Sequence, residues 1–444
     1  MDRYLGEAEA FAARWEPRLV WALLGLGGLW RLAWVLSGGR LAPLRSEVRN
    51  VALTYARTGQ LADAFGYGTG PTAHVAPTMA IYEGLVYRYL GSTTQAELFL
   101  AVVAILLACA SFYFTYRAFR LLAVPPLWAL AGLAAACLIP LNAMIEVRQL
   151  RGFEGMLATA LSTGILWWIL ALARRPEVKV LALIPLALVM AFLALTTQAA
   201  ALGVYGAAGL LVLLRVRWLK WPAAGLVFAG ALAVFLGPWA MRNERAMHHP
   251  ILTRSNFGLE LSQAYYPGAV HPANALLEFK RRHREMHPMA SPEAVRELRR
   301  VGEVEYAASQ GREAMAWIKA NPADAATIAV RQFRNYWFPD PWLWQAFDQD
   351  VKAQYRMKSY FLWVVTVLGL LGLMSGLARD LRTWIYVAPA LILPSLPYIL
   401  TQPVIRYRYL VSTLLFFLAA EAVRRLCEFA ATAPEPARRK AEAA

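Results

Sequence analysis

The chain has 444 residues, a formal net charge of +16 and 59% hydrophobic residues, with a mean hydropathy of +0.41. This composition is typical of a polytopic membrane protein and argues against a soluble domain. A basic soluble chain would indicate nucleic-acid binding. Here much of the excess charge lies in short Arg/Lys clusters beside apolar segments, and the long polar loop 240–358 is nearly balanced. We therefore expect no nucleic-acid partner.

About ten apolar segments are each long enough to cross a bilayer core of about 30 Å. In chain order they lie at about 18–37, 96–116, 124–144, 154–173, 180–196, 198–214, 221–239, 359–378, 383–400 and 404–423. The sequence therefore predicts an all-α, polytopic integral membrane protein with about ten transmembrane helices. The polar loop between the seventh and eighth segments is predicted to form a mostly helical outer-face (periplasmic) subdomain.

Four regions follow from these segments. Residues 1–239 hold seven predicted spans and the short outer loops, and residues 240–358 form the large outer loop. Residues 359–425 hold the last three spans. Residues 426–444, rich in Ala, Pro and Arg, are predicted to be a disordered cytoplasmic tail.

Arg/Lys clusters follow alternate segments, and the positive-inside rule makes those ends cytoplasmic. The clusters are Arg117 and Arg120, Arg174 and Arg175 with Lys179, Arg215 and Arg217 with Lys220, Arg379 and Arg382, and Arg424 and Arg425. The loops at about 38–95, 142–153, 240–358 and 401–406 then lie outside, together with all six histidines. Both termini are predicted to be cytoplasmic. We expect the functional chemistry on the outer face.

Two acids stand at the outer ends of predicted helices. Glu47 follows the first span, at the start of a short amphipathic segment that Gly59 is placed to end. A carboxylate there suits a general base, although spacing alone favours a solvated carboxylate that interacts with the helix dipole. Glu154 begins an apolar span, where acids tend to be functional; an ordinary ion pair with Arg148 or Arg151 is the alternative.

Arginines at the outer interface run against the usual charge asymmetry. Arg406 and Arg408 alternate with Tyr407 and Tyr409 at the start of the last span, and Arg242 lies at the outer end of the seventh. Guanidinium groups at this depth suit the phosphate of a lipid in the outer leaflet. Anchoring by an aromatic belt at the membrane interface is the alternative.

Neither a metal nor a cofactor is predicted. His283 and His287 lie four residues apart, but their order differs from that of metalloproteases and basic neighbours oppose a cation. We therefore expect a solvated helix face there. Cys109, Cys137 and Cys427 lie in or beside predicted spans, which excludes a disulfide framework or a cysteine zinc site in the outer loops.

Several of these segments, in this order, resemble the bacterial polytopic glycosyltransferases of the GT-C superfamily, including relatives of protein O-mannosyltransferase and aminoarabinose transferase. Residues 70–77 (GPTAHVAP) resemble the first outer loop, and 238–243 (PWAMRN) with 254–259 (RSNFGL) resemble the entry to the large outer loop. Residues 314–322 resemble a later helix of that loop, and 406–408 the entry to the last span. The matches extend over nearly the whole membrane portion.

The resemblance implies transfer of a sugar from a polyprenyl-phosphate-linked donor to a glycan, lipid or protein acceptor, in the bacterial cytoplasmic (inner) membrane and without a cofactor. By position, Glu47 and Glu154 match the family's catalytic acids. The residues that match its donor-phosphate site are Arg242, Arg406 and Arg408. Those expected to contact substrate are His74, Arg151, Asn243 and Tyr407.

The sequence also departs from the family pattern. The first-loop acid is commonly Asp, whereas here it is Glu47, and Asp63 is an alternative base. Met79 and Ala80 replace an aromatic–proline pair. A lipid-linked glycan transporter, a non-catalytic assembly subunit, and a glycan polymerase or ligase remain alternative functions.

Overall fold

The computed structural model describes residues 2–139, 141–347 and 354–432. These residues are helical, apart from loops and an isolated β-bridge between Ala62 and Pro71. The first nine helices are α1 (Asp2–Leu36), α2 (Glu47–Thr58), α3 (Pro77–Leu90), α4 (Thr94–Leu121), α5 (Pro126–Leu138), α6 (Gly155–Ala173), α7 (Ile184–Thr196), α8 (Gln198–Arg215) and α9 (Trp221–Met247). A single π-helical turn, Ile145–Gln149, precedes α6.

The polar segment folds into six helices, which we call the polar subdomain: α10 (Phe257–Ala264), α11 (Ala275–Met286), α12 (Pro292–Val301), α13 (Glu303–Ala320), α14 (Pro322–Trp337) and α15 (Pro341–Phe347). The remaining helices are α16 (Tyr355–Arg379), α17 (Leu381–Trp384), α18 (Val387–Ile392), α19 (Leu396–Leu400) and α20 (Ile405–Thr432). The all-α, polytopic membrane fold predicted from the sequence is confirmed.

The predicted count of ten membrane crossings is not confirmed. Among the described residues, six helices are long and apolar enough to cross a bilayer: Tyr4–Leu36, Thr94–Leu121, Gly155–Ala173, Gln198–Arg215, Trp218–Met247 and Tyr355–Arg379. The predicted spans at 124–144, 180–196 and 383–400 correspond to shorter apolar helices. The last of these is divided into α17, α18 and α19, since Pro389, Pro394 and Pro397 interrupt helical hydrogen bonding.

Helix α20 packs closely against α16 in the centre of the bundle. A Cβ atom at Gly372 would lie 2.0 Å from the carbonyl oxygen of Leu418, and one at Gly369 would lie 2.6 Å from the side chain of Leu415. Small residues let two backbones approach each other, as in membrane helix pairs generally. Helix α20 continues to Thr432, past the predicted start of the tail, and residues 433–444 lie outside the described residues.

Helix α2 forms as its sequence predicts. The Ser46 hydroxyl caps it by accepting a hydrogen bond from the Arg49 N–H, and Gly59 ends it with a φ of 74°. Val48 and Val51 are fully buried against α3 and the polar subdomain. This packing fixes the position of Glu47, the first residue of the helix.

Candidate active site around Glu47 and Glu154

Glu47 lies beside two histidines that arrive from separate segments of the chain. Its Oε1 atom is 3.9 Å from Nε2 of His287, which follows α11, and the carboxylate is partly exposed. His74 lies in the glycine-rich first loop, and its ring centroid is 6.3 Å from that of His287. One donor atom from each of the three residues falls within 4.8 Å of the others. We call Glu47, His74 and His287 the acid–imidazole group.

Both imidazoles of this group are buried and neutral at physiological pH. Desolvation lowers the pKa of His74 to about 4 and that of His287 to about 3. Phe65 packs its ring edge against both histidines. His283 stacks on His287 at 4.3 Å between ring centroids, and its Nδ1 atom is 3.2 Å from the amide of Gln263.

The predicted solvated face carrying His283 and His287 is therefore wrong, because α11 turns this side into the protein and leaves Arg281 and Arg284 exposed on the other. The acid–imidazole group has the ligand types that divalent transition metals prefer. Metal–ligand bonds of about 2.0–2.2 Å would require the three donor atoms to move about 1 Å closer to one another. A nearby guanidinium, that of Arg254, opposes a further positive charge.

The second acid, Glu154, lines a cavity of about 40 Å³ together with two guanidinium groups, and we call this space the outer cavity. Arg254 forms an ion pair with Glu154 through Nη2, and the Nε atom of Arg254 is buried without a hydrogen-bond partner among the described residues. Arg406 lies over the ring of Phe153 at 4.6 Å. Tyr407 stacks on Tyr398 at 4.3 Å between ring centroids.

The outer cavity is electrostatically connected to the acid–imidazole group. Arg406 interacts with both Glu47 and Glu154, so one guanidinium lies within electrostatic range of both acids. Glu260 lies half-buried nearby, and desolvation together with the charge of Glu47 raises its pKa. The predicted site residues that converge on one region are thus Glu47, His74, Glu154, Arg406 and Tyr407.

Arg242 and Asn243 do not reach this region. The Arg242 guanidinium donates to the carbonyl oxygen of Thr72 at 2.8 Å and to that of Leu61. Asn243 is fully buried and donates to the carbonyl oxygen of Ile251 at 2.8 Å. The expectation that Arg242 lines the same cavity as Arg406 is wrong, because its donors are used to hold the first loop.

Arg408 and Arg151 are also directed elsewhere. Arg408 is buried inside the bundle, where it donates to the Thr366 hydroxyl at 2.6 Å, because a step of two residues along a helix turns the side chain by about 200° from that of Arg406. Arg151 forms an ion pair with Glu97 at 2.9 Å and donates to the carbonyl oxygen of Leu41 at 2.7 Å. Neither side chain lines the outer cavity.

Asp63, the alternative base, shapes the glycine-rich loop. Its carboxylate accepts hydrogen bonds from the N–H groups of Gly68 and Gly70 and from the Thr54 hydroxyl. The φ of Asp63 itself is 68°, which asparagine and aspartate tolerate better than most residues. These bonds occupy its lone pairs, so the geometry favours Glu47 over Asp63 as the base.

Three charged residues of the site were not predicted. Arg254 and Glu260 flank the Asn-Phe-Gly turn into α10, and Glu303 begins α13. Glu303 is buried and accepts from the Thr72 hydroxyl, the Ala73 N–H and the Ser255 hydroxyl, at 2.5, 2.9 and 2.6 Å. The position of Arg254 in the RSNFGL segment was the available signal. The role of Glu303 depends on a contact across 230 residues, for which the sequence holds no local signal.

A larger apolar space, which we call the apolar cavity, opens next to the outer cavity. Its volume is about 520 Å³, and its walls come from α3, α4, α6, α7 and α9. Leu157, one turn after Glu154, lines it and packs with Phe153 in the same buried cluster as Val48. Leu157 thus forms a wall of the apolar cavity one turn from the start of α6, where Glu154 lies.

No family model and no curated protein matches the sequence. Among solved structures, the Archaeoglobus fulgidus oligosaccharyltransferase in complex with Zn and sulfate is similar with a TM-score of 0.44 and 12% identity, over 91% of this chain and 49% of that one. ArnT from Cupriavidus metallidurans bound to undecaprenyl phosphate is similar with a TM-score of 0.37 and 14% identity, over 94% of this chain and 79% of that one.

The chain spans about half the length of the oligosaccharyltransferase that it matches. Both of these similarities have TM-scores below 0.5. At these identities and TM-scores they assign no role to any residue, so the functional argument depends on the geometry of this chain.

Proposed function

We propose that the protein is a glycosyltransferase that moves a sugar from a polyprenyl-phosphate-linked donor to an acceptor at the outer face of the bacterial cytoplasmic membrane. The observation that carries this proposal is the convergence of Glu47, Arg254 and Arg406 beside the apolar cavity. A base, two cations and a space for a lipid chain are the parts that this reaction requires.

The donor would divide between the two cavities. The polyprenyl chain suits the apolar cavity, whose surface is almost entirely hydrocarbon. Its phosphate would then reach Arg406 and the unpaired Nε atom of Arg254. Guanidinium groups keep their charge in a partly desolvated site and bind phosphate oxygens in two-point fashion.

The reaction would be an inverting displacement at the anomeric carbon. The acceptor oxygen forms the new bond to that carbon while the bond to the phosphate oxygen breaks, and the bonding electrons leave with the phosphate. Arg254 and Arg406 stabilise the added negative charge. Glu47 takes the proton of the acceptor hydroxyl. Glu154, already paired with Arg254, orients that arginine and the acceptor.

A lipid-linked glycan transporter is less well supported. A transport path needs ionisable groups that exchange partners within the membrane. The buried ion pair of Arg31 with Glu146, at 2.6 Å, has its other donors bound to the carbonyl oxygens of Gly27, Ala136 and Cys137. A guanidinium with so many fixed partners stabilises the packing of α1 on α5.

A transfer assay tests the proposal directly. The purified protein is incubated with acceptor-containing membranes and a panel of polyprenyl-phosphate sugars, and released polyprenyl phosphate is measured. Release that depends on both the donor and Glu47 is expected. Movement of intact donor across proteoliposomes without any release would support the transporter instead.

A further inference from the structure

Between the polar subdomain and the start of α20 lies a half-open cleft that the proposed reaction has not yet used. Its volume is about 80 Å³, which is room for about five or more ordered waters. The rings of Tyr266, Phe279 and Trp342 line it, so we call it the aromatic cleft. Its walls are formed by α10, α11, α14 and α15 and by the Gln402–Val404 segment just before Arg406.

The aromatic cleft combines flat apolar surfaces with side-chain amides. Phe279 and Trp342 meet with ring centroids 6.0 Å apart at an interplanar angle of 47°, which leaves two differently tilted faces. The side-chain amides of Gln263, Gln332 and Gln402 also line it, and an amide group can both donate and accept, although those of Gln263 and Gln402 already have one partner each within the protein. A sugar has C–H faces that pack on aromatic rings and hydroxyl edges that both donate and accept, so the two surfaces are complementary.

One buried atom of the cleft needs a donor. Gln332 is 6% exposed, and its side-chain amide oxygen, Oε1, has no hydrogen-bond partner among the described residues. An unsatisfied buried carbonyl costs free energy that a bound hydroxyl would recover. A hydrocarbon chain in the cleft would leave this oxygen unsatisfied, which argues against a lipid tail.

A continuous series of contacts leads from the aromatic cleft to Glu47. The Gln263 amide is 3.2 Å from Nδ1 of His283, and His283 stacks on His287 at 4.3 Å. The Nε2 atom of His287 is 3.9 Å from the Glu47 carboxylate. The side-chain amide of Gln402, just before α20, donates to the backbone carbonyl oxygen of Gln263 at 3.2 Å. The stacked imidazoles of His283 and His287 therefore separate the cleft from the proposed base.

We infer that the aromatic cleft binds a sugar unit of the acceptor, so that the acceptor is a carbohydrate whose hydroxyl group reaches Glu47. This inference rests on the proposed transfer function. The cleft then selects the acceptor, whereas the outer and apolar cavities select the donor.

Binding of saccharides to the cleft can be measured without any donor. The full-length protein in nanodiscs is titrated with defined mono- to tetrasaccharides of glucose, galactose, mannose and N-acetylglucosamine, and quenching of tryptophan fluorescence is followed. We expect saturable quenching by at least one saccharide. Gln332→Leu, which keeps the side-chain volume, should weaken that binding at least tenfold. Gln345→Leu, an exposed position on the same helix as Trp342, is the matched control.

Trp342→Phe supplies a second readout, because it should remove the quenching signal while calorimetry still detects the saccharide. Absence of quenching by every saccharide, or quenching that Gln332→Leu leaves unchanged, would overturn the inference. Polyprenyl-phosphate binding is measured in parallel on the same variants. If the wild-type protein neither binds the donor nor releases polyprenyl phosphate, the transfer function is refuted. If Gln332→Leu releases polyprenyl phosphate normally and with unaltered acceptor kinetics, only the acceptor assignment is refuted.

Discussion

Helix α6 has an arginine-lined cavity at each end, and the two differ in what surrounds the charges. At its start, Glu154 and Arg254 form an ion pair in the outer cavity of about 40 Å³. At its end, Arg174 borders a cavity of about 300 Å³ that is also lined by Arg215, Arg379 and Arg382. We call it the inner cavity.

The outer arginines are enclosed, whereas three of the four inner ones are exposed. Arg254 and Arg406 are enclosed with carboxylates and aromatic rings. In the inner cavity Arg174, Arg379 and Arg382 are exposed, and the acid among them, Asp380, caps α17 by accepting from the Thr383 N–H. Exposed arginines at one membrane face set topology and attract anionic headgroups through charge alone. Transfer chemistry requires the fixed orientation of the outer set.

The comparison fails at once if the two ends of α6 do not lie on opposite sides of the membrane. In a cysteine-free background, Ala290→Cys in the polar subdomain should react with an impermeant maleimide in intact cells. Glu177→Cys, exposed just beyond the other end of α6, should react only after the inner face is opened. The reverse pattern would reassign the outer cavity to the cytoplasm.

Glu47→Gln should produce the largest loss of activity. Removing a positioned general base costs about 100- to 10,000-fold in rate, and the amide keeps the size of the side chain. Turnover is measured as released polyprenyl phosphate, with donor binding followed separately and expected to stay near normal. Glu293→Gln, an exposed acid in the first turn of α12, is the matched control. Near-normal turnover of Glu47→Gln would transfer the role of base to another acid.

Arg254→Ala and Arg406→Ala should each weaken polyprenyl-phosphate binding about ten- to a hundredfold. One charge-assisted hydrogen bond contributes about 1.5–3 kcal/mol, which corresponds to this range. Arg379→Ala in the inner cavity should change affinity less than about twofold, since an exposed charge contributes little. Equal losses from both cavities would mean that net charge, rather than orientation, governs donor binding.

Arg242→Ala tests a structural arginine at the same membrane depth. Its guanidinium binds the carbonyl oxygens of Leu61 and Thr72, so its removal should loosen the glycine-rich loop at a cost of about 1–3 kcal/mol. We expect a lower thermal midpoint and faster proteolysis within residues 60–75, with intrinsic affinity for polyprenyl phosphate retained. Loss of affinity at an unchanged midpoint would restore Arg242 to the donor site.

These arginines also show what the sequence can predict. Hydropathy and helix-cap residues predicted the helices, because both signals are local: Ser46 and Gly59 bound α2 as expected. Side-chain direction on a helix was not predictable, and Arg406 and Arg408 point to different environments although they are two residues apart. The acid–imidazole group depends on contacts over more than 200 residues, such as that of Glu47 with His287. Such contacts leave no periodic signal in a single sequence.

The buried histidines predict a smaller effect, a dependence of stability on pH. The folded-state pKa values of His74 and His287, about 4 and about 3, lie below the ordinary value of 6.5. The unfolded chain therefore binds more protons below pH 6.5, and stability is lost as the pH falls from 6.5 toward 4. The thermal midpoint in detergent should fall by several degrees over this range, and His74→Gln should flatten the dependence. His249→Gln, at an exposed position, should not.

A chelator separates protonation from metal binding at the same group. If the acid–imidazole group acts as a neutral hydrogen-bonding unit around Glu47, EDTA should leave the thermal midpoint and turnover at pH 7.5 unchanged. A bound divalent cation would stabilise the folded state by mass action and would compete with protons for the imidazoles. EDTA would then lower the midpoint in the wild-type protein but not in His74→Gln. That result would make Glu47 a metal ligand and would require a different acceptor base, which would be sought first at the half-buried Glu260.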